Sequence, residues 1–174
     1  GFIGCTSENF TTTLGREGSD YTSAVLAYAL DAKILIIWKD VKGVLNADPR
    51  FFDKTKLLEN ISFTEAIELA FYGAKVIHPK TIQPLQKKGI PLQVRSFIDK
   101  NNQGTLINNI NCSNNTPSYI VKENQVLISI SDNDLSFIIE KHLSWIFSLL
   151  SKYNIRLNLM QSSAVSFSIC IDND

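Results

Sequence analysis

The chain has 174 residues, of which 44% are apolar and 20% are charged, and this is enough to build the core of one domain or of one and a half. Seventeen basic and seventeen acidic side chains give a formal net charge of zero, which argues against nucleic-acid binding and against attraction to a membrane surface. Three widely spaced cysteines, Cys5, Cys112 and Cys170, argue against a disulfide framework or a zinc site and favour a reducing cytoplasm.

The first forty residues predict a polar loop, a helix and a strand. Residues 11–20 combine hydroxyls, glycines and charges, and residues 21–30 carry small and apolar side chains at helical spacing. We expect a mostly buried helix there, capped by Ser19 or Asp20. Residues 33–38 are largely apolar and β-branched, which predicts a strand covered on both faces, as in a parallel sheet.

A long loop and a well-bounded helix come next. Residues 41–50 contain turn-forming residues, and the length of this loop suggests a surface site. Ser62 and Glu65 have the spacing of a capping box, which predicts a helix over residues 63–72. Gly73 is expected to end this helix in the left-handed conformation.

The next segment predicts a further helix and a buried strand. His78 precedes a proline that starts a helix over residues 79–88, and Gly89 is placed to end it. We interpret His78 as a structural turn residue rather than a catalytic base. Residues 91–97 have the pattern of a second buried strand, and the alternation of helices with strands favours an α/β fold with a parallel sheet.

A change in composition divides the chain into two predicted domains. Residues 109–117 are polar and rich in asparagine, which is typical of a linker between a domain over residues 1–108 and another over residues 118–174. The second domain is expected to be α+β with the order βαββ, incomplete without a further helix and strand. Its predicted strands and helix are residues 125–131, 135–153, 155–160 and 164–171. The chain starts with Gly1 rather than Met, and its first residues look like the interior of a domain. We therefore expect the chain to be a piece of a longer protein.

The loop before the first helix has two attractions for a charged small molecule. The helix presents unpaired backbone N–H groups, and Gly15 and Gly18 allow close backbone approach. Arg16 could clamp a carboxylate while Asp20 receives an ammonium group, which would suit a zwitterionic amino acid. The alternative is a surface ion pair of Arg16 worth ~0–1 kcal/mol, with Asp20 as a helix cap, and the spacing alone favours this second interpretation.

Three further charged residues are candidates for binding phosphate or ribose. Asp40 follows the first strand, where open α/β sheets place ligands, although it could equally cap a turn. Arg50 follows a rigid Asp-Pro turn, and Lys75 lies just after the predicted helix over residues 63–72. Both could stabilise a transferring phosphoryl group, although solvent exposure is the usual state of such side chains.

Several of these segments, in this order, resemble the amino-acid kinase family and, within it, the aspartokinases. The motifs that carry the resemblance are Gly1-Phe2-Ile3-Gly4, Thr11-Thr12-Thr13-Leu14-Gly15-Arg16 with Gly18-Ser19-Asp20-Tyr21, Ile37-Trp38 with Asp40-Val41, Asp48-Pro49-Arg50, Glu65-Ala66 with Glu68-Leu69-Ala70, Tyr72-Gly73-Ala74-Lys75-Val76-Ile77-His78-Pro79, and Gly104-Thr105. The resemblance implies the C-terminal part of a three-layer α/β/α sandwich.

The resemblance also implies an activity for the intact protein, which is phosphoryl transfer from MgATP to the side-chain carboxylate of L-aspartate. The family's amino-terminal lobe, with its phosphate-binding loop, is missing from this piece, so we expect the 174 residues alone to be inactive. Positions matching Phe2, Arg16, Ser19 and Asp20 surround the aspartate in the family, and Asp20 is also implied as catalytic. Glu17 departs from a common glycine and adds a negative charge beside them.

The nucleotide side of the site is implied by five further positions. Lys39, Asp40, Leu45, Arg50 and Lys75 match nucleotide-binding positions, and Lys75 is also implied as catalytic. The resemblance implies ATP and Mg²⁺, with the metal held mainly through the nucleotide. Lys39 stands where many members have threonine and Leu45 where many have tyrosine, so the contacts with adenosine are expected to differ.

The second domain resembles the first part of an ACT regulatory domain, through Asn154-Ile155 and the Gln161-Ser162-Ser163 turn. This implies pairing into a homodimer through ACT domains, and an amino-acid effector bound by Leu157, Asn158, Ser163 and Ala164. Because Asn158 and Ala164 occupy positions that are acidic in lysine-regulated relatives, lysine is not the expected effector.

Two other functions remain open at this point. The piece could serve as a regulatory module that binds amino acids and dimerises, without catalysis. It could also belong to an amino-acid kinase with another acceptor, such as acetylglutamate, glutamate or UMP, although the ACT-like segment favours aspartate.

Overall fold

The computed structural model describes most of the chain, namely residues 1–15, 17–74, 76–109, 116–131 and 140–173. The chain divides into two compact units, Gly1–Val121 and Lys122–Asp174, which are described separately below. In the first unit the helices and strands, in chain order, are β1 (Ile3–Cys5), β2 (Thr11–Thr13), α1 (Gly18–Ala29), β3 (Leu35–Lys39), β4 (Asn60–Ser62), α2 (Phe63–Tyr72), α3 (Pro79–Lys88), β5 (Leu92–Ser96) and β6 (Thr105–Asn108).

Helices α2 and α3 have the bounds that their end signals predict. The Ser62 hydroxyl accepts a hydrogen bond from the Glu65 N–H, and the Glu65 carboxylate accepts one from the Ser62 N–H, so the capping box is present. His78 caps α3 by accepting from the Lys80 N–H through Nδ1 at 3.1 Å, in agreement with its structural interpretation. Gly89 ends α3 in the left-handed helical conformation, whereas Gly73 ends α2 at a positive φ of 131°, which also favours glycine but is not that conformation.

The predictions for α1 were wrong in two respects. The helix begins at Gly18, so Ser19 and Asp20 lie inside its first turn and neither caps it. The residue at the cap position is Glu17, whose side chain makes no capping hydrogen bond. The helix is also less buried than expected, since only its small residues, including Ala24, are covered while Leu26 is 56% exposed.

The main sheet is mixed rather than parallel. Its strand order is β3-β5-β6-β4, with β3 parallel to β5, β4 parallel to β6, and β5 antiparallel to β6. The short strands β4 and β6 were not predicted, because three or four residues give too little periodicity to recognise. β3 was predicted to be covered on both faces, but Ile37 is buried while Ile36 and Trp38 on the other face are exposed.

The core of the first unit lies between the helices and one face of the sheet. Helices α1 and α2 each pack against α3, and both also contact strands of the sheet. Fully buried side chains such as Ile82, Leu85, Leu92 and Ile107 form one apolar cluster there. This cluster holds the start of α1 close to the carboxyl end of β3, which is the geometry that the site depends on.

The second unit is a three-stranded antiparallel sheet with one helix. Its elements are β7 (Gln125–Ser131), α4 (Glu140–Lys152), β8 (Leu157–Ser162) and β9 (Ser166–Asp172), and the strand order is β7-β9-β8. The predicted order βαββ is therefore present, with a small core around Ile146, Phe167 and Ile169. The early part of the predicted helix, residues 135–139, lies outside the described residues.

The predicted linker over residues 109–117 lies largely outside the described residues. The segment after it belongs to the first unit, because the Tyr119 N–H donates to the Asn46 carbonyl at 2.7 Å and the Asn46 side chain donates to the Pro117 carbonyl at 3.1 Å. Among the described helices, none has both the length and the apolar character needed to cross a membrane.

Candidate active site

The amino-terminal hairpin and the start of α1 form one side of the site. The Phe2 carbonyl accepts a hydrogen bond from the Leu14 N–H at 2.7 Å, and a Cβ atom on Gly18 would lie 2.9 Å from the Phe2 Cβ. This close approach, which only glycine permits, sets Phe2 against the first residue of the helix. Ser19 and Asp20 follow in the same turn, so three of the four residues predicted to surround an amino acid lie at or against the start of α1.

The fourth of those residues, Arg16, lies outside the described residues. Glu17, which follows it, adopts a left-handed conformation with a φ of 59°, and its Oε2 atom is buried without a hydrogen-bond partner among the described residues. Both features are unfavourable for a glutamate, because left-handed φ favours glycine and an unpaired buried oxygen loses its hydration.

Asp20 pairs with Lys39 across the gap between α1 and the end of β3. The Lys39 Nζ lies 2.8 Å from Asp20 Oδ2 and donates to the Val76 carbonyl at 2.5 Å. The Lys39 side chain is 20% exposed and the Asp20 side chain is 16% exposed, so the pair is largely shielded from water. One ammonium group thereby links the start of α1, the carboxyl end of β3 and the turn after α2.

Val76 also lines a cavity of about 320 Å³ in the first unit. The cavity lies between the loop after β3 and the end of α2, and its walls include Leu45, Asp48, Arg50 and Tyr119. A cavity of this size is within the range of small-molecule sites. The position at the carboxyl ends of parallel strands is where α/β sheets usually bind ligands.

The loop over residues 41–50 is held in place by polar contacts of Val44 and Asn46. The Val44 N–H donates to the buried Thr105 Oγ1 at 2.8 Å. The Asn46 side chain accepts from the Lys56 N–H at 2.7 Å while donating to the Pro117 carbonyl. These contacts fix one wall of the cavity. Thr105 and Asn46 were not predicted as supports, because Val44 and Pro117, their partners, are distant from them in sequence.

Arg50 lies at the edge of the cavity with its guanidinium turned onto Asp48. The Arg50 Nε atom lies 3.0 Å and Nη2 2.6 Å from Asp48 Oδ2, and the Arg50 N–H donates to Oδ1 at 2.9 Å. These hydrogen bonds, first from the side chain and then from the backbone of Arg50, lower the pKa of Asp48 below its ordinary value of 3.8. The turn therefore orients Arg50, as predicted, and Asp48 is a carboxylate partner that was not predicted.

The remaining predicted nucleotide residues are placed differently from one another. Leu45 is half-buried and lines the cavity, while Asp40 is exposed and is not among the cavity-lining residues. Lys75 lies outside the described residues, between Ala74 and Val76, which both line the cavity. Within the described ranges no three His, Cys, Asp or Glu side chains are arranged to hold a metal ion.

The second unit contains a polar network around Asp172, at one end of its sheet. Asp172 Oδ1 lies 2.8 Å from the Lys122 Nζ and accepts hydrogen bonds from the Gln125 side chain at 2.6 Å and from the Asn158 side chain at 2.9 Å. The Lys122 ammonium also donates to Asn158 Oδ1 at 2.7 Å. These contacts, with Lys122 contributing most, lower the pKa of Asp172 from 3.8 to about 2.

This network predicts an acid-dependent stability. Because the folded-state pKa of Asp172 is depressed, its contribution is complete above the unfolded value near 3.8 and is lost as the pH falls towards 2. We expect the unfolding temperature of wild type to exceed that of Asp172→Asn above pH 4, and the difference to shrink towards pH 2. Calorimetry at a series of pH values measures it, with Glu123→Gln as the control for loss of one negative charge. A difference that does not change between pH 5 and pH 2 would contradict the prediction.

The predicted effector residues do not meet within one copy of this unit. Leu157 and Asn158 begin β8, whereas Ser163 and Ala164 follow its end, where the Ser163 hydroxyl accepts from the Ser166 N–H at 3.0 Å. At about 3.3 Å per residue, Asn158 and Ser163 are about 16 Å apart along the strand. A single small ligand can therefore contact both ends only if a second copy brings one of them closer.

Known proteins are similar to this chain over most of its length. Residues 1–96 match the amino acid kinase family. The lysine-sensitive aspartokinase 3 of Escherichia coli is 39% identical over 99% of this chain, which covers 38% of that protein. A bifunctional aspartokinase/homoserine dehydrogenase of Buchnera aphidicola is 37% identical over 94% of this chain and 20% of its own length. The chain thus spans only part of the length of the curated relatives it matches.

Solved structures show the same similarity. The crystal structure of E. coli aspartokinase III in complex with aspartate and ADP has a TM-score of 0.79 and 38% identity, covering 100% of this chain and 39% of that one. The aspartate kinase of Clostridium acetobutylicum has a TM-score of 0.85 and 31% identity, covering 99% of this chain and 41% of that one. The fold implied by the sequence resemblance is confirmed.

Proposed function

Because this chain belongs to the amino acid kinase family, we propose that the full-length protein is an aspartate kinase, which transfers the γ-phosphoryl group of MgATP to the side-chain carboxylate of L-aspartate. The observation that carries the proposal is the Asp20–Lys39 pair, which lies between the start of α1 and a residue that lines the cavity. The pair therefore has one candidate subsite on each side. Phosphoryl transfer requires such an arrangement, because the donor and the acceptor must be bound next to each other.

On the acceptor side, the proposed site is the start of α1. The positive end of the helix and its unpaired N–H groups favour the carboxylates of the substrate. Phe2 and Ser19 border this place, and Asp20 supplies the negative charge that an α-ammonium group needs. Arg16 is proposed to clamp a substrate carboxylate, since it precedes this turn and its guanidinium can form two parallel hydrogen bonds.

On the nucleotide side, the proposed site is the cavity beneath the loop over residues 41–50. Leu45 supplies an apolar contact for a base, and Arg50 supplies positive charge at the cavity edge. Asp40, Lys39 and Lys75 are assigned to the same side from the family resemblance. Mg²⁺ would enter with the nucleotide, because this ion is usually held by substrate phosphates and few protein carboxylates.

The chemistry proposed for these residues is positioning and charge neutralisation. An oxygen of the aspartate side chain forms a bond to the γ-phosphorus as the bond to the ADP oxygen breaks, and no covalent enzyme intermediate is needed. Cationic groups beside the transferring phosphoryl stabilise the charge on its oxygens. We assign this role to Lys75, with Asp20 orienting the cations of the site.

We further propose that the second unit, Lys122–Asp174, forms the first part of an ACT regulatory domain that pairs with a second copy. Two features support this. The predicted effector residues lie at opposite ends of β8, so a second copy is needed to bring them together. The sheet of this unit also exposes the apolar side chains Leu127, Leu159 and Met160. Lysine is disfavoured as the effector, because the Lys122 ammonium already lies at Asn158 and Asp172.

Free thiols at Cys5 and Cys170 support the cytoplasm as the location.

Turnover by the full-length protein tests the proposed function. ADP release is measured with MgATP and L-aspartate, and hydroxylamine is added to trap the acyl phosphate as a hydroxamate. We expect aspartate-dependent release of both products, and none with acetylglutamate, glutamate or UMP. Release that depends on one of those acceptors would assign another kinase of the family, and no release with any acceptor would favour a purely regulatory protein.

A further inference from the structure

We propose that Tyr119 is a nucleotide-binding residue whose ring stacks against the base. The inference rests on the proposed function, because it concerns the cavity assigned there to the nucleotide. It adds to that site a residue from the segment over residues 117–121, which no pattern in the sequence indicated.

The backbone around Tyr119 is fixed to the loop over residues 41–50. The Tyr119 N–H donates to the Asn46 carbonyl at 2.7 Å, and the Asn46 side chain donates to the Pro117 carbonyl at 3.1 Å. Asn46 is only 8% exposed, and its side-chain oxygen accepts from the Lys56 N–H, so its amide is bound through both oxygen and nitrogen. A buried polar network that is satisfied in this way holds its members in one arrangement. Tyr119 is therefore positioned by the loop that forms one wall of the cavity.

The ring of Tyr119 is supported on one side and remains accessible to a ligand. Phe52 lies beside it, with the ring centroids 5.7 Å apart and the ring planes tilted by 30°. Tyr119 nevertheless remains 53% exposed, and it lines the cavity of about 320 Å³. A ligand in this cavity would cover apolar ring surface that is now in contact with water, which favours binding.

The cavity offers two kinds of partner, and a nucleotide needs both. Arg50 carries the positive charge that suits phosphate oxygens. Among the described residues that line the cavity, Tyr119 is the only aromatic one, while Leu45 provides aliphatic surface. Every nucleotide base has flat π faces, which stack on aromatic side chains. The base is therefore assigned to Tyr119 and Leu45 together.

A second tyrosine of the first unit provides an internal comparison. Tyr28, in α1, is 38% exposed, and the Lys88 ammonium lies 4.3 Å from the centroid of its ring. Tyr28 is not among the residues that line the cavity. Its replacement therefore removes an exposed tyrosine ring without changing the proposed nucleotide site.

The proposal predicts that loss of the Tyr119 ring weakens binding of ADP but not of pyrophosphate, which has two phosphates without a nucleoside. The full-length protein is titrated with each ligand and Mg²⁺ by calorimetry, as wild type, Tyr119→Phe, Tyr119→Ala and Tyr28→Ala. In Tyr119→Ala we expect the ADP Kd to rise about tenfold, which corresponds to about 1.4 kcal/mol, and the pyrophosphate Kd to stay within about twofold. Tyr119→Phe keeps the ring and Tyr28→Ala keeps the cavity, so both should bind ADP within about twofold of wild type.

Pyrophosphate separates contact with the base from general damage to the site, because damage would weaken both ligands together. The proposal would be overturned by an unchanged ADP Kd in Tyr119→Ala, by equal losses for both ligands, or by equal losses in Tyr119→Phe and Tyr119→Ala. Aspartate turnover by wild type would still stand in each of these cases. A wild-type protein that neither binds ADP nor turns over aspartate would overturn the proposed function and this inference with it.

Discussion

Asp20→Asn in the full-length protein is expected to lower kcat/KM for aspartate by about 10²–10³-fold, the range found when one charge-stabilising group is removed from an active site. Asparagine keeps the shape of the side chain but loses the charge that holds Lys39 at 2.8 Å. It also cannot form a charge-assisted hydrogen bond with an acceptor ammonium group. Steady-state kinetics with aspartate and with MgATP varied in turn measure the effect.

Asp31→Asn is the matched control for this change. It removes the same charge just beyond the other end of α1, where the Asp31 side chain is 78% exposed and pairs with Lys88. We expect kcat/KM within about twofold of wild type, because exposed ion pairs contribute ~0–1 kcal/mol. If Asp20→Asn kept more than a tenth of wild-type kcat/KM, Asp20 would no longer be assigned to the site.

Gly104→Ala is expected to lower the free energy of unfolding by about 2–5 kcal/mol, from backbone strain and overpacking together. Gly104 has a φ of 71°, a backbone conformation that is energetically unfavourable for a residue with a Cβ atom. The added Cβ would also clash with the Val94 carbonyl oxygen, so β5 and β6 would have to separate. Because Thr105 in β6 holds the cavity loop through Val44, nucleotide binding should weaken as well. Denaturant unfolding and calorimetry with ADP measure the two effects.

Gly89→Ala separates the clash from the strain. Gly89 has a similar φ of 66°, but its added Cβ would approach only the flexible Asn109 side chain, at 3.3 Å. We expect a loss of about 1 kcal/mol and unchanged ADP binding. Equal losses of stability in the two variants would show that the close approach to Val94 is relieved without cost.

Local signals in the sequence predicted the elements whose ends are set by neighbouring residues. The capping box of Ser62 and Glu65, and Gly89 after the helix that His78 begins, gave α2 and α3 their observed bounds. These signals act over three or four residues, so the chain carries them without tertiary contacts. The same kind of reasoning failed at α1, where the approach of Gly18 to Phe2 starts the helix two residues before Asp20.

The sequence by itself determined the α/β class, helices α2 and α3, the order βαββ and, through ordered motifs, the family. It also singled out Arg16, Asp20, Lys39 and Arg50. Only the tertiary structure decided that Lys39 pairs with Asp20 and donates to the Val76 carbonyl. It likewise decided that the short strands β4 and β6 complete a mixed sheet. The physical reason is sequence distance: Asp20, Lys39 and Val76 are brought together by packing of α1 against α3 and the sheet, and no local propensity encodes that packing.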